Sequence, residues 1–474
     1  MDRLERLDHR FVWHPFTQMR EWLRETPIVI ASGKGAVLRD TRGREYLDAN
    51  ASIWTNLHGH RHPAITGAIN RQLRKIAHSS ALGLANEPAS LLAARLVALA
   101  RPAAAKPAAT LAKVFFSDDG ATALEVALRL AAESARRSGL ARRPRFLSIE
   151  GAYHGDTVGA ASLGQIGLFK RAGGSLQFKT DSVMAPYCYR CPHNRAQPER
   201  ADAREYRRCN WECTQQVEAR FDARRGKQGR YAALVVEPRI QGAAGMIAQP
   251  SGWLRRVGAI AKAHQTPIIA DEVMTAFGRA GDAHAAPESL LACQVEGVAP
   301  DFVCLAKGLT GGYLPMAATL TTQRVFDLFL GEHGEHRTFF HGHSFTGNQL
   351  GASAALANLD LLQSHASRAA RQRLERVLAK ELATLWSLPA VGDVRRVGLV
   401  AGVELVRDWR TRAPVPTAGR VGNRVCAAMA RRGVLTRPVG NVVVLMPPFC
   451  MTSAQVRRMV GALAESIAEV LPSR

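Results

Sequence analysis

Short apolar bursts, spaced apart by amphipathic stretches of helical period, restrict the fold of this chain more than any other feature. "KVFFS" (113–117), "RFLSIEG" (145–151), "AALVVEP" (232–238), "PIIADE" (267–272) and "DFVCLAKG" (301–308) are too short for buried helices and read as buried strands. Between several of them lie helix-period segments. "ATALEVALRLAAESARR" sets Leu124, Ala127, Leu128 and Ala131 on one face. Strands alternating with helices predict an α/β fold with a mostly parallel central sheet covered on both sides. Ligands of such sheets sit beyond the carboxyl ends of the strands. Three of the predicted strands end there in a polar or ionisable residue: Ser117, Asp271 and Lys307.

After about residue 350 the pattern changes. One long helical segment, 347–386, leads into "VGDVRRVGLVAGVELV" and "LTRPVGNVVVLMPP", which read as strands of a smaller α+β lobe. Near the start, "AVLRDTRGREYLDAN" predicts a hairpin turning at Thr41-Arg42-Gly43, expected to join that lobe. The expected division is an N-terminal segment 1–60 joining the small lobe, a large domain 61–345 with an insertion at about 186–214, and a small domain 346–474. The Ala/Pro-rich stretch 99–113 reads as a surface connection.

Lys307 stands at a strand lip, followed by Gly308, Gly311 and Gly312. Apolar surroundings disfavour an ammonium, and a lysine with a lowered pKa can form a Schiff base with a carbonyl. By itself it could equally be a lysine snorkelling to solvent. Asp271, at the end of another buried strand, needs a cationic or hydrogen-bonded partner. A protonated pyridine nitrogen would be one, and that combination suits pyridoxal phosphate acting as an electron sink. "FFSDDGATALEVAL" supplies a strand, a turn and a helix start at Gly120 and Ala121, where unpaired amides and the helix dipole attract an anion. An ordinary capped helix, with Asp118 or Asp119 as N-cap, is the plainer alternative. In "GAYHGDTVGA", Tyr153 could stack on a flat ring.

Taken in order, "SDDGATALE", "YHGDT", "EP", "DEVMTAFGR", "AKGLTGGYLP", "GHSFTGNQL" and "RPVG" resemble the class III pyridoxal-phosphate aminotransferases over almost the whole chain. "VWHPFTQM", "IWTNLHGHRHP", "FFHGHSFTGNQLG" and "LTRPVG" resemble, within them, the adenosylmethionine-8-amino-7-oxononanoate aminotransferases of biotin synthesis. The resemblance implies a fold type I transferase. The activity implied is amino transfer to 7-keto-8-aminononanoate, giving 7,8-diaminononanoate, in a cytoplasmic homodimer with shared sites. It implies that Lys307 carries the cofactor as a Schiff base and shuttles the proton, that Asp271 pairs with the pyridine nitrogen, and that Tyr153 stacks on the ring and touches substrate. Gly120 and Ala121 would hold the phosphate, with His343 and Ser344 reaching it from the neighbouring subunit and Gly342 lining the substrate site. Trp54 would pack on the substrate's aliphatic chain and Arg437 would pair with its carboxylate. Asp156 and Arg279 fall at matching positions near the pocket, and Glu237 near the cofactor without an assigned role. Phe16 stands where several relatives have Tyr, so contacts to the amino donor would differ, and adenosylmethionine and lysine both stay open as donors. The rival within the fold is another ω-aminotransferase acting on a diamine or an amino acid.

"YCYRCPHNRAQPERADAREYRRCNWEC" holds Cys188, Cys191, Cys209 and Cys213 as C-x2-C and C-x3-C pairs. Four thiolates so spaced can close a structural zinc site or hold an iron–sulfur cluster; four ordinary cysteines are the alternative.

Lys plus Arg number 63 against 40 acidic residues, a net charge of +23, which raises nucleic acid as a partner. The basic residues are interspersed with acids and no nucleic-acid module accompanies them, so the charge reads as solvated helix faces. A basic nucleic-acid-binding protein with a degenerate enzyme core is therefore the more distant rival. The charged N-terminus is unlike a secretory signal, few cysteines suggest a reducing compartment, and no apolar run is long enough to span a membrane.

Overall fold

The computed structural model describes residues 2–101, 110–141, 143–224, 229–285 and 288–472; most of the Ala/Pro-rich connection lies outside them. Seven strands form the central sheet, in the spatial order 111–117, 317–322, 302–305, 268–271, 233–236, 146–149, 181–183. Only Ala317–Thr322 runs against the others, pairing antiparallel with both of its neighbours. The five predicted strands are all present, and the strands 233–236, 268–271 and 302–305 are buried throughout. Their Val, Ile and Leu side chains face covering layers on both sides, as a parallel sheet requires.

The helix Gly120–Arg137 packs one of those layers, with Leu124, Ala127, Leu128 and Ala131 all buried. Asp119 is its N-cap: the carboxylate accepts from the Thr122 amide at 2.9 Å, while Thr122 Oγ1 accepts from the Asp119 amide at 3.0 Å.

The predicted N-terminal hairpin forms, with Val37–Asp40 antiparallel to Glu45–Asp48 and Gly43 in the left-handed region at φ 81°. Glu45–Asp48 also pairs, in parallel, with Val434–Leu435. The C-terminal region has its own sheet, in which Val391–Val397, Val400–Asp408 and Val442–Leu445 run antiparallel in turn. The single long helix expected over 347–386 is two, Gln349–Leu362 and His365–Ala383. Ser364 caps the second by accepting from the Ser367 amide, a polar break that the continuous apolar period conceals. Among the described residues no helix is long and apolar enough to cross a membrane.

Candidate active site

A cavity of about 1270 Å³ opens along the carboxyl edge of the central sheet. Asp119, Gly120, Ala121, Tyr153, Asp156, Glu237, Asp271 and Lys307 line it, drawn from the ends of five strands or the loops that follow them. Phe16, Trp54 and Arg437 line it from the N- and C-terminal segments. Residues far apart in sequence thus share one space because parallel strands all release their chains at the same edge.

Lys307 follows the strand Phe302–Leu305 with a positive φ of 45°, which turns its side chain into the cavity. Burial pushes its pKa below the usual lysine value, against the pull of Asp271 and Glu237. Its Nζ lies 4.8 Å from the centre of the Trp54 ring. Gly308 follows because a Cβ there would press on Leu57 and Phe277 at 3.2 and 3.3 Å.

Asp271 ends its strand facing His154, whose Nδ1 is 2.7 Å from Oδ2. Burial alone would push His154 down, but the Asp271 carboxylate outweighs it and holds the imidazole above its usual pKa. The remaining ring nitrogen of His154, Nε2, is buried without a partner. Glu237 accepts from the Tyr153 amide at 3.1 Å and the Gly242 amide at 2.8 Å. Its burial holds the carboxyl well above its usual range. Neither His154 nor the clasping role of Glu237 was assigned from sequence. Adjacency to Tyr153 in "YHGD" was the available signal for His154; Glu237 needed the fold, because its partners come from two other loops.

The Tyr153 hydroxyl donates to Asp156 at 2.6 Å, and its ring meets Phe169 edge-on at 6.0 Å. Phe169 in turn meets Phe16 at 5.5 Å, so an aromatic row lines part of the cavity. Leu168, Phe169 and Asn423 line the cavity as well and had no distinguishing pattern in the sequence.

The residues present suit pyridoxal phosphate. Gly120 and Ala121 occupy the first helical positions, whose amides have no intrahelical acceptor, and they face the cavity. A Cβ on Gly120 would sit 2.6 Å from Val273 Cγ1, and one on Gly155 would sit 2.4 Å from the Ala121 Cβ, so small residues keep this anion cradle open. An amine with a lowered pKa and a carboxylate braced by an imidazole complete the donor set.

Several expected residues lie elsewhere. Arg279 is outside the cavity lining: its fully buried guanidinium donates to the Asn56 carbonyl at 2.6 Å and to the Pro447 carbonyl, and sits 4.7 Å from the Phe449 ring centre. Burial pushes its pKa down to about 9. It braces the joint between the N- and C-terminal segments. Gly342, His343 and Ser344, expected to serve the neighbouring subunit's site, are exposed and lie outside this chain's own cavity lining.

The four cysteines of the insertion do converge on one small cavity, together with Arg207 and Trp211. Among the described residues, however, no group of three or more His, Cys, Asp or Glu side chains is arranged to hold a metal, so the structure does not support a zinc centre there. Burial pushes the thiol of Cys188 up to about 12 and that of Cys213 up to about 11. Tyr187, Arg190, Arg200 and Arg204 tie the insertion to the C-terminal sheet and the segment leading into it.

The aminotransferase class-III family model matches residues 19–467. The chain belongs to the class-III aminotransferases. It is 47% identical over 471 residues to the adenosylmethionine-8-amino-7-oxononanoate aminotransferase of Nitratidesulfovibrio vulgaris, covering 99% of this chain and 82% of that one. It is 44% identical to the protein of the same name from Geobacter sulfurreducens, covering 97% and 96%. The crystal structure of the Methanocaldococcus jannaschii enzyme of that name superposes with a TM-score of 0.87 at 38% identity, over 98% of both chains. An amine transaminase from an uncultivated Pseudomonas species, in its pyridoxal-phosphate-bound form, gives 0.86 at 32% identity, covering 97% of this chain and 98% of that one. The class-III enzyme described here is a pyridoxal-phosphate-dependent transaminase.

Proposed function

We propose that this transaminase moves an amino group onto 7-keto-8-aminononanoate, giving 7,8-diaminononanoate in biotin synthesis. The observation that carries the proposal is one cavity holding both the Lys307–Asp271 chemistry and, from other segments, Trp54 and Arg437. The substrate is a flexible apolar chain with a carboxylate far from its reacting carbonyl. Trp54 offers a wall for the chain, and Arg437, which is exposed into the cavity, a guanidinium fork for the carboxylate. The relatives named above carry this activity in their names.

Bound at this site, pyridoxal phosphate supplies an electron sink for cleaving a bond next to the amine. Lys307 attaches the cofactor and carries the proton. Asp271, held by His154, keeps a ring nitrogen protonated. Tyr153 covers the ring, oriented through its amide by Glu237 and through its hydroxyl by Asp156. Gly120 and Ala121 bind the phosphate. Phe16 lines the same cavity and has no hydroxyl to offer the donor.

The active form on this proposal is a cytoplasmic homodimer. Leu82, Leu84, Phe340 and Phe345 are exposed at 91, 62, 66 and 56%. The His78 ring, 4.8 Å from that of Phe345, donates to the Ser344 carbonyl at 2.8 Å. A second copy covering this apolar face would receive Gly342, His343 and Ser344 at its own site. The division at 1–60, 61–345 and 346–474 belongs to the same proposal; the pairing of Glu45–Asp48 with Val434–Leu435 supports its outer parts acting together.

The test assays diaminononanoate formation with adenosylmethionine and with lysine in parallel. Product with one donor establishes the function and the donor. No product with either, from holoenzyme that transaminates a diamine or another amino acid, overturns it.

A further inference from the structure

Four consecutive non-glycine residues, Ala51, Ser52, Ile53 and Trp54, have φ of 46, 48, 62 and 69°. L-residues visit this left-handed region singly, at a cost of roughly 1–2 kcal/mol each. Here they form a closed left-handed turn, with Trp54 N–H donating to the Asn50 carbonyl at 2.8 Å and Thr55 N–H to the Ala51 carbonyl at 2.9 Å. Such strain persists only where the surroundings over-determine it.

Asp48 supplies the surroundings. Its buried carboxylate accepts from the Ser52 amide at 2.9 Å, from the Ser52 hydroxyl at 2.8 Å and from His60 Nε2 at 3.0 Å. The other nitrogen of His60 accepts from Asn56 Nδ2 at 3.1 Å, which leaves the proton on the nitrogen facing Asp48. Asn56 Oδ1 accepts from the Gly59 amide at 2.7 Å, closing the loop on itself. What the turn displays is Ile53 and Trp54, both lining the cavity, with Trp54 beside Lys307.

We propose that Asp48, braced by His60, is a positioning residue: it holds the left-handed turn in place and thereby sets the apolar wall, Ile53 and Trp54, that the substrate chain packs against. The substrate named here rests on the proposed function; the clamp itself does not.

The experiment compares holoenzyme carrying Asp48→Ala, His60→Gln, or Asp48→Ala with Ser52→Gly. It reads KM and kcat for the keto acid, melting temperature, and amide hydrogen exchange over residues 50–56. Asp48→Ala should raise KM about tenfold or more with kcat changed less than about threefold, because ground-state binding is what suffers. Exchange over 50–56 should quicken. His60→Gln keeps an N–H donor for Asp48 and should stay within about twofold of the parent in KM. Ser52→Gly should recover much of the KM loss in the Asp48→Ala background, since glycine enters the left-handed region without steric cost. Folded Asp48→Ala with unchanged exchange and unchanged KM overturns the proposal. So does a lower melting temperature at unchanged KM, or a Ser52→Gly variant that restores melting temperature but not KM. The exchange measurement needs no substrate, so a failed assay of the keto acid leaves the clamp decided on its own terms.

Discussion

Two regions of this molecule bury charge, and they do so differently. Around the cysteine-bearing insertion, opposite charges meet. Arg395 donates to Asp393 at 2.9 Å and to Glu404 at 2.8 Å, and Arg190 donates to Glu404 at 2.7 Å. Carbonyl oxygens take up most of the remaining guanidinium protons there, those of Met246, Trp386, Leu388 and Val391 among them. In the cavity, Lys307 has no ion pair among the described residues, His154 keeps an orphaned nitrogen, and Trp54 Nε1 is buried without a partner. Buried polar groups are normally satisfied, so the second region is costly to maintain unless a ligand completes it. The insertion is held chiefly by opposed charges, whereas the cavity keeps unpaired groups that a cofactor and a substrate would complete.

The sharpest way to break that contrast is at Lys307. On the proposed function its replacement by Ala removes the amine that would attach the cofactor and move the proton, and turnover should fall by about 10⁴-fold or more, with melting temperature little changed. Near-parental turnover with cofactor bound would mean that the unpaired lysine is not the centre of the site. Arg395→Met is the matching test in the other region. It leaves Asp393 and Glu404 buried without their shared cation, at a cost of about 3–5 kcal/mol. Melting temperature should fall by several degrees, while kcat per folded chain stays within about twofold. A large kcat loss at unchanged melting temperature would place Arg395 in the reaction instead.

The fold was legible because buried parallel strands are written as uninterrupted apolar runs, and all five predicted ones formed. What escaped was whatever depends on a tertiary partner. Nothing local marks Ser364 as the break between two helices until its side chain is seen capping the second. Arg279 and Arg437 look alike in sequence; only packing separates a guanidinium held between two carbonyls from one open to the cavity. The cysteine spacing suggested a metal because spacing carries ligand type but not the surroundings, and burial pushes the Cys188 and Cys213 thiols up. Asp48 carries no recognisable motif, and the role of His154, although it stands within "YHGDT", shows only through the Asp271 carboxylate it meets.

Asp271→Asn sharpens the comparison from inside the cavity. The variant keeps the shape and loses the charge that raises the His154 pKa. The single-turnover rate should fall by about 100-fold if, as proposed, Asp271 is the anionic partner of the cofactor's ring nitrogen. An unchanged rate would refute the pairing. Arg437→Ala comes next in size. One charged hydrogen-bonded contact is worth about 1.5–3 kcal/mol, so KM for the keto acid should rise by roughly 10- to 100-fold with melting temperature unchanged. A fall in melting temperature at constant KM would make it a bracing arginine like Arg279.

The smallest expected effect lies in the charge-paired region, at a carboxylate that is imperfectly matched. Asp393 shares Arg395 with Glu404 and leaves one carboxylate oxygen, Oδ1, buried without a partner. Burial pushes its pKa up to about 6, against the pull of Arg395. A carboxyl whose pKa is higher folded than unfolded binds its proton more tightly in the folded chain. Its contribution to stability is therefore fully present below the unfolded value and disappears as pH rises through about 6. Asp393→Asn carries no such proton. The melting temperature of the parent, relative to that of the variant, should decline between about pH 4 and pH 6 and level off above. The measurement is the difference between the two melting temperatures at each pH, since every other titrating group is common to both proteins and cancels. A flat difference would mean that Arg395 neutralises both carboxylates fully. A difference that moves in favour of the parent as pH rises would mean that Asp393 has a lowered pKa, and that this corner of the insertion is as well paired as the rest.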